Sequence, residues 1–251
     1  MSKIISFAVR KGGSLKTTSS FNVGFCLARM GKKVLMVDFD PQADLTTAMG
    51  MQPDQVESSN VYTSLMSKKL SYIKINDLIS LVPSFEDLDS AETSFASVTA
   101  REFQLKRLLD PIRDQFDYII IDCPPSTGFL TKNALAASDY VFIPVQTQFF
   151  AVKGMVKMIN IIKQFREDLG VNLKIGGVFG TMFVKSEKVN QEALDFINSS
   201  FPDLAMKTNI RKNVSLIESP THGKDIFSYK ENSTGADDYF NLTEEIIALS
   251  K

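Results

Sequence analysis

The chain has 251 residues, of which 44% are hydrophobic and 23% are charged, and its formal net charge is −1. The length suits one large α/β domain or two small ones. The near-neutral charge excludes a protein that binds nucleic acid through its overall charge, so any such surface must be a local patch. Two cysteines are too few for a disulfide framework or a zinc site within one chain. No apolar run approaches the ~18 residues of a membrane-spanning helix.

Short apolar runs rich in β-branched residues predict six strands, at 4–9, 33–39, 78–84, 117–122, 139–145 and 174–181. Segments with helical periodicity lie among them, at 17–31, 101–115, 127–137, 149–168 and 187–199. Runs that do not alternate between apolar and polar residues are typical of strands buried on both faces. The order therefore predicts an α/β fold, a single doubly wound and mostly parallel sheet with helices on both faces.

Two further segments receive separate predictions. Residues 84–100 form the most polar stretch and are expected to be a surface loop or a short helix. Residues 235–251 predict a final amphipathic helix. Its inward face is expected to hold Ile246, Ile247 and Leu249. A membrane-binding helix would carry several lysines opposite that face, whereas this one carries two glutamates and ends in a single lysine. We therefore expect it to dock on the core.

The stretch "VRKGGSLKTTSS", residues 9–20, has the context of a phosphate-binding loop, because it follows an apolar strand and opens a predicted helix. Gly12 and Gly13 let backbone N–H groups turn toward a polyphosphate, and the helix N-terminus adds its dipole. Lys16 can reach the terminal phosphates, and the Thr17 hydroxyl is placed to ligate Mg²⁺. The alternative is a tight turn with exposed lysines.

Two strand ends supply acidic residues. The run 37–46 places Asp38 and Asp40 after one strand, and the run 118–128 places Asp122 after another. Open α/β sheets bind ligands at this edge, where an acid can hold Mg²⁺ through a coordinated water. One such aspartate alone is often a cap or turn residue. Two acidic strand ends together with the loop indicate a nucleotide site.

Three motifs carry a family resemblance: "KGGSLKTT", "DFDPQADLT" and "DCPPSTGFLTKNAL". They resemble the deviant Walker A, Walker A′ and Walker B regions of ParA/Soj-type ATPases, which belong to the ParA/MinD superfamily. The resemblance continues through 142–155 and 209–239. It implies a single ATPase domain over residues 1–251, without the N-terminal helix-turn-helix domain of larger plasmid ParA proteins, and a cytoplasmic, nucleoid-associated location.

The resemblance also implies roles for individual residues. The implied ATP contacts are Lys11, Gly12, Gly13, Ser14, Leu15, Lys16, Thr17, Thr18, Asp122, Thr181 and Met182. The implied catalytic residues are Lys11, Lys16 and Asp40, and the implied Mg²⁺ region contains Thr17, Asp40 and Asp122. Asp40 matches the carboxylate that positions or activates the attacking water, and Asp38 supports the magnesium region.

The resemblance implies that Lys11 crosses to the nucleotide of a partner subunit, so that ATP lies between the protomers of a homodimer. Such dimers bind DNA without sequence specificity, and the candidate residues are Lys185, Lys188, Arg211, Lys212 and Lys224. A ParB-like or other adaptor protein would stimulate slow ATP hydrolysis and so position a plasmid, chromosome or protein cargo. No membrane partner is expected.

The sequence departs from its relatives at two places. Leu15 stands where most of them have glycine, and a β-carbon there opposes a positive φ. Its side chain is expected to point away from the phosphates or toward the dimer partner. The stretch 208–216 lacks the proline near Arg211 and the arginine near Ser215 that relatives commonly have.

Three other functions stay open from the sequence. One is a MinD-like membrane-cycling ATPase, which would need a basic amphipathic tail. The second is a metabolic phosphate-loop enzyme or metal-cluster carrier of the same superfamily, although Cys26 and Cys123 do not form the paired motif of cluster carriers. The third is a nucleotide-dependent scaffold without hydrolysis, if Leu15 impairs turnover.

Overall fold

The structure, a computed structural model, describes residues 2–251 except for the side chains of residue 53 and residues 149–151. Phe149 and Phe150, which the sequence suggests as core or interface residues, therefore lie outside the described side chains. The strands are β1 (Lys3–Phe7), β2 (Val34–Asp38), β3 (Ile73–Lys74), β4 (Ile79–Val82), β5 (Tyr118–Asp122), β6 (Tyr140–Gln146) and β7 (Lys174–Thr181).

The helices are α1 (Lys16–Arg29), α2 (Asp44–Ala48), α3 (Pro53–Val56), α4 (Val61–Ser67), α5 (Ala91–Ser94), α6 (Gln104–Leu109), α7 (Phe129–Ala137), α8 (Phe149–Leu169), α9 (Lys188–Ser200), α10 (Ser215–Thr221), α11 (Ile226–Lys230) and α12 (Thr234–Leu249). None of them, over the residues that the structure describes, is long and apolar enough to cross a bilayer.

The strands form one seven-stranded sheet in the order β3-β4-β2-β5-β1-β6-β7. Every neighbouring pair is parallel except β3 and β4, which are antiparallel. The predicted mostly parallel sheet is therefore confirmed. The central strand β5 lies between β2 and β1 and is parallel to both, so the carboxyl ends of β1, β2 and β5 meet at one edge, where doubly wound folds bind ligands.

Both faces of the sheet are buried, which explains the absence of alternation in the strand sequences. In β2, Leu35 and Val37 belong to one core cluster, and Val34 and Met36 belong to the other. Successive side chains point to opposite faces. Helices α4 and α6–α9 contribute to the first cluster, and α1 and α10–α12 contribute to the second.

Two predicted segments differ from the structure. The single helix expected over 101–115 is a 3₁₀ turn, then α6, then a second 3₁₀ turn over Asp110–Gln115. Pro111 lies in the first turn of that last piece, and it has no backbone N–H to donate to the residue four positions earlier, so the α-helical hydrogen bonding of α6 ends there. The polar stretch 84–100 holds a 3₁₀ turn and α5. It is docked on the sheet rather than purely superficial, because Leu88 and Phe95 are buried in the first cluster.

The C-terminal helix confirms the predicted docking but corrects one residue. Ile246 is fully buried, and Ile247 is partly buried against the second cluster. Leu249 is 46% exposed, so the prediction that it faces inward is wrong. It is the last residue of α12, beyond the buried stripe that Tyr239 and Leu242 form with Ile246.

We expect Ile246→Ala to lower the free energy of unfolding by about 2–4 kcal/mol, because it leaves a cavity beneath a fully buried side chain. The matched change Leu249→Ala on the same helix removes an exposed side chain and should cost less than about 0.5 kcal/mol. Urea unfolding of both variants measures the difference. Equal losses would contradict the packing of α12 described here.

Candidate nucleotide-binding site

The loop between β1 and α1 makes a sharp turn built on two left-handed residues. Gly13 has φ 72° and Leu15 has φ 59°. Between them the buried hydroxyl of Ser14 donates a hydrogen bond to the carbonyl oxygen of Lys11 (3.0 Å). The turn closes on itself and delivers Lys16 as the first residue of α1.

Leu15 corrects a sequence expectation, because its β-carbon does not keep the backbone out of the positive-φ region. A non-glycine residue in this conformation is strained by roughly 1–2 kcal/mol. The side chain is half-buried and packs against the core cluster beneath α1 and α12. This packing offsets the strain and directs the leucine into the protein.

Lys16 is a buried cation, 7% exposed, in the first turn of α1. Its charge lowers the pKa of two carboxyl groups against the larger effect of burial, those of Asp40 and Asp122. Beside it, a cleft of about 280 Å³ is lined by Thr17 and Thr18 together with residues of α2 and α10. The first turn of α1 therefore combines a positive helix terminus, a buried ammonium and open space.

Asp38 and Asp122 end the adjacent strands β2 and β5 and are paired in register. Asp38 Oδ2 accepts hydrogen bonds from the Thr46 backbone N–H (2.7 Å) and the Thr46 hydroxyl (2.6 Å). That hydroxyl oxygen in turn accepts from the Ser84 N–H (2.9 Å). Asp38 therefore ties the end of β2 to the start of α2 and supports the site without facing it freely.

Asp122 has one oxygen bonded and one oxygen available. Its Oδ1 accepts from the Ser20 hydroxyl (3.0 Å), whereas the buried Oδ2 has no hydrogen-bond partner within the described part of the chain. Ser20 lies three residues after Thr17 on the same face of α1, a spacing visible in the sequence that our interpretation did not use. A buried carboxylate oxygen without a partner fits a ligand that supplies a cation or a donor.

The two buried carboxyl groups have strongly perturbed acidities. Burial and the neighbouring Asp122 charge together raise the pKa of Asp38 to about 8, against the Thr46 hydrogen bonds. Burial likewise raises the pKa of Asp122 to about 7, opposed by the nearby Thr17 hydroxyl, the Lys16 charge and the Ser20 hydrogen bond. Such shifts are typical of functional sites, where a bound cation makes ionisation favourable.

These residues could hold Mg²⁺ only with help from other oxygens. Within residues 2–251 as described, no three His, Cys, Asp or Glu side chains gather into a metal site. Mg²⁺ commonly keeps several waters and takes one or two carboxylates plus phosphate oxygens. The Thr17 hydroxyl near the Asp122 carboxyl group, together with the unpartnered oxygen of that group, fits such an incomplete protein shell.

Asp40 lies two residues beyond the end of β2 and is also buried. Burial raises the pKa of its carboxyl group, and the Gln42 N–H (3.1 Å) and the Lys16 charge lower it. The loop thus presents a carboxylate facing the same lysine as Asp122. A carboxylate in this position can accept a proton or orient a water.

The end of β7 contacts the phosphate loop. The hydroxyl of Thr181 is fully buried and donates to the Ser14 carbonyl oxygen (3.4 Å). Met182 follows it with φ 56° and is half-buried. The chain therefore brings both residues beside the phosphate loop, and Met182 is a second strained non-glycine residue at this edge.

Lys11 does not join Lys16. Its ammonium donates to Gln146 Oε1 (3.1 Å) and to Gln148 Oε1 (3.3 Å), at the end of β6 and the start of α8. Neither glutamine is predicted as a site residue from the sequence. No motif marks them, because only the sheet order brings β6 beside β1.

The five candidate DNA contacts differ in the partners that the structure gives their side chains. Arg211 donates to both oxygens of Asp238, and Lys188 pairs with Glu192 (3.6 Å). Lys212 and Lys185 are exposed and lie on adjoining segments, because the backbone N–H of Lys212 bonds the Phe183 carbonyl (3.0 Å). Lys224 is exposed in the connection between α10 and α11. Their role stays a prediction.

Phosphate-loop nucleotide-binding proteins place a buried lysine after such a turn and acidic strand ends opposite it, and this chain falls in that class. The model of the family described as "AAA domain" matches residues 2–175. The chain is 40% identical over 252 residues to the sporulation initiation inhibitor protein Soj of Bacillus subtilis, covering 99% of both. It is 38% identical to the chromosome-partitioning ATPase Soj of Treponema pallidum, covering 99% of this chain and 98% of that one.

Among solved structures, cobyrinic acid a,c-diamide synthase from Mycobacterium smegmatis, with a bound ATP analogue and magnesium, superposes with a TM-score of 0.85. It is 27% identical and covers 97% of this chain and 93% of that one. The chain belongs to the ParA/Soj family of ATPases, within the ParA/MinD superfamily.

The acidic pair predicts a pH dependence of stability without ligands. Both carboxyl groups have a folded-state pKa above the unfolded value of 3.8, so the native state binds more protons between these values. The stability that these two protonated carboxyl groups contribute is therefore fully present below about pH 4 and is lost as the pH rises through 7 to 8.

Asp122→Asn removes one of the charges, so we expect it to exceed the wild type in unfolding free energy by about 1–3 kcal/mol at pH 8 and by little at pH 5. Urea unfolding in chelator-treated, nucleotide-free buffer measures this. The exposed control Asp77→Asn should run parallel to the wild type over that range. If the unfolding free energy of Asp122→Asn also runs parallel to that of the wild type across this pH range, the buried Asp122 carboxyl group is not the source of the pH dependence.

The strained turn predicts that glycine is more stable than alanine at position 15, which is the reverse of their order within a helix. Leu15→Ala keeps the positive φ and loses the packing, whereas Leu15→Gly loses the packing but relieves the strain. We expect the glycine variant to be more stable than the alanine variant by about 0.5–1 kcal/mol. Within α1, where alanine is favoured over glycine, Ala28→Gly should lower the free energy of unfolding by about 1 kcal/mol. Thermal unfolding of the four proteins tests this.

Proposed function

We propose that this chain is a ParA-type ATPase that binds ATP with Mg²⁺, dimerises around the nucleotide, binds DNA without sequence specificity and positions a cargo. The observation that carries the proposal is that the two lysines of the loop have different surroundings. Lys16 is buried among the site's carboxylates, whereas Lys11 is bonded outside them. Support comes from the relatives named Soj and from the ATP analogue and magnesium in the solved structure.

Within one protomer, the proposed roles follow from charge and burial. Lys16 offsets the negative charge that develops on the transferred phosphoryl oxygens, and its burial strengthens that interaction. Asp40 orients the attacking water, and the Lys16 charge favours its ionised form. Thr17 and Asp122 would hold Mg²⁺, which would supply positive charge to offset that of the phosphates. Asp38 fixes the turn that carries Asp40.

Across the dimer, Lys11 supplies a second cation to the nucleotide of the partner. A cation delivered by another subunit stabilises the transition state only after assembly, so ATP binding and dimerisation become linked. Hydrolysis removes the γ-phosphate that the lysine contacts, and the dimer dissociates. An adaptor of the ParB type would accelerate this step and release the protein from DNA.

The proposed DNA surface centres on Lys185 and Lys212, whose segments adjoin in the fold. Arg211 holds Asp238 and orders this segment rather than offering a free guanidinium. Two such patches on a dimer would supply the charge that one near-neutral chain lacks. Binding to DNA would place the protein on the nucleoid.

The alternatives receive less support. A cluster carrier needs paired cysteines, but Cys26 belongs to the core cluster on one face of the sheet and Cys123 to the cluster on the other. A membrane-cycling role needs a basic amphipathic tail, but the exposed residues of the last turn of α12 include Glu244 and Leu249 and no lysine before Lys251. ATP-dependent co-sedimentation with anionic vesicles would revive that alternative.

The experiment is a DNA gel shift with ATP, ADP and no nucleotide over a salt series. We expect binding with ATP only, weakening steeply with salt because phosphate contacts release counterions. Asp40→Ala should bind DNA with ATP and lose hydrolysis, whereas Lys11→Ala should bind nucleotide as a monomer and fail to bind DNA.

Equal shifts under all three nucleotide conditions would overturn the ATP-switched model. The double change Lys185→Ala, Lys212→Ala should reduce the affinity and the salt slope, and the exposed control Lys69→Ala, two residues after α4, should not. Wild-type hydrolysis by Asp40→Ala would remove the role assigned to that carboxylate.

A further inference from the structure

Lys11 is held by its own protomer. Its ammonium has two acceptors, Gln146 Oε1 at 3.1 Å and Gln148 Oε1 at 3.3 Å, so two of its three donors are engaged. The loop end of the lysine is also restrained, because its carbonyl oxygen accepts from the Ser14 hydroxyl. The Lys11 side chain therefore links the phosphate loop to the end of β6.

The two glutamines lie on an ordered base. Gln146 is the last residue of β6 and is paired in register with Thr181 of β7. The backbone N–H of Gln148 bonds the carbonyl of Gln146 (2.7 Å), and the N–H of Thr147 bonds that of Thr181 (3.0 Å). The same Thr181 hydroxyl bonds the phosphate loop at Ser14. Both acceptors are thus positioned by the strand that also contacts the loop.

The two acceptors are neutral amides, which suits a reversible interaction with the Lys11 ammonium. Amide oxygens accept from an ammonium without neutralising it, so the lysine keeps its full charge for another partner. A carboxylate at either position would form an ion pair and compete more strongly with phosphate. A triphosphate, with several negative charges, is a better acceptor for the ammonium than two neutral amides.

We propose that Gln146 and Gln148 form a latch that keeps Lys11 within its own protomer until the ATP of a partner subunit displaces it. This inference rests on the proposed function, in which Lys11 acts across the dimer. The two glutamines are positioning residues, since they act through the lysine. Because only the unlatched fraction can dimerise, the latch raises the apparent dissociation constant of the dimer and suppresses assembly without a γ-phosphate.

The first test needs no dimer. In the nucleotide-free chain, the rate of labelling of Lys11 by an amine-reactive ester is measured by mass spectrometry, with exposed Lys224 as internal reference. The volume-matched double variant Gln146→Met, Gln148→Met should label Lys11 about threefold to tenfold faster, the range for losing one or two net hydrogen bonds. Gln191→Met, which loses an exposed bond to Asp195 on α9, is the matched control.

The second test measures the consequence. With a non-hydrolysable ATP analogue, analytical ultracentrifugation should give the double variant an apparent dimer dissociation constant about threefold to tenfold below the wild type. With ADP, both proteins should stay monomeric. Because Gln148 is exposed, the single change Gln148→Met should fold normally and give a smaller shift in the same direction, whatever happens to the double variant.

The outcomes separate the latch from the function beneath it. Unchanged labelling of Lys11 would overturn the latch itself. Faster labelling with an unchanged or weaker dimer would overturn its regulatory role and point to glutamines that orient the lysine toward the partner. A wild-type chain that stays monomeric with the analogue would overturn the proposed dimer, and the labelling result would still decide whether the lysine is held.

Discussion

The structure depends on one electrostatic constraint, the burial of two aspartates side by side at the ends of β2 and β5. Parallel strands bring Asp38 and Asp122 into register, and the covered sheet keeps water away from both. Burial makes their ionised forms costly, and their mutual repulsion adds to the cost. Lys16 and the hydroxyls of neighbouring residues offset part of this electrostatic cost. The part that is not offset determines which ligands the site can bind.

The remaining features of the edge fit a protein that stores unfavourable energy for a ligand to relieve. Leu15 and Met182 adopt left-handed backbone conformations that glycine would adopt without strain. Asp122 keeps a buried oxygen without a partner in the described structure. Lys11, by contrast, donates to two neutral amides and is satisfied within its own protomer. The strained residues and the unpartnered oxygen each lower stability slightly, and a bound cation would supply the partner that this oxygen lacks.

Local patterns were sufficient for part of this arrangement. The turn before α1, the acidic strand ends and the buried parallel sheet follow from short motifs whose physical meaning does not depend on distant residues. The backbone of Leu15, the break in the helix over 101–115 and the exposure of Leu249 were missed. They depend respectively on packing under the loop, on the backbone hydrogen bond that Pro111 cannot donate and on where the helix leaves the core.

The sequence by itself determined the class of fold, the phosphate loop and the carboxylates that face it, because strand burial and loop chemistry are encoded within a few consecutive residues. Only the tertiary structure decided which side chains share the site. Ser20 reaches Asp122 from one helix turn beyond the loop, and Gln146 reaches Lys11 across 135 positions of chain. The physical reason is the sheet order, which places β6 beside β1 and so brings together residues that no local pattern connects.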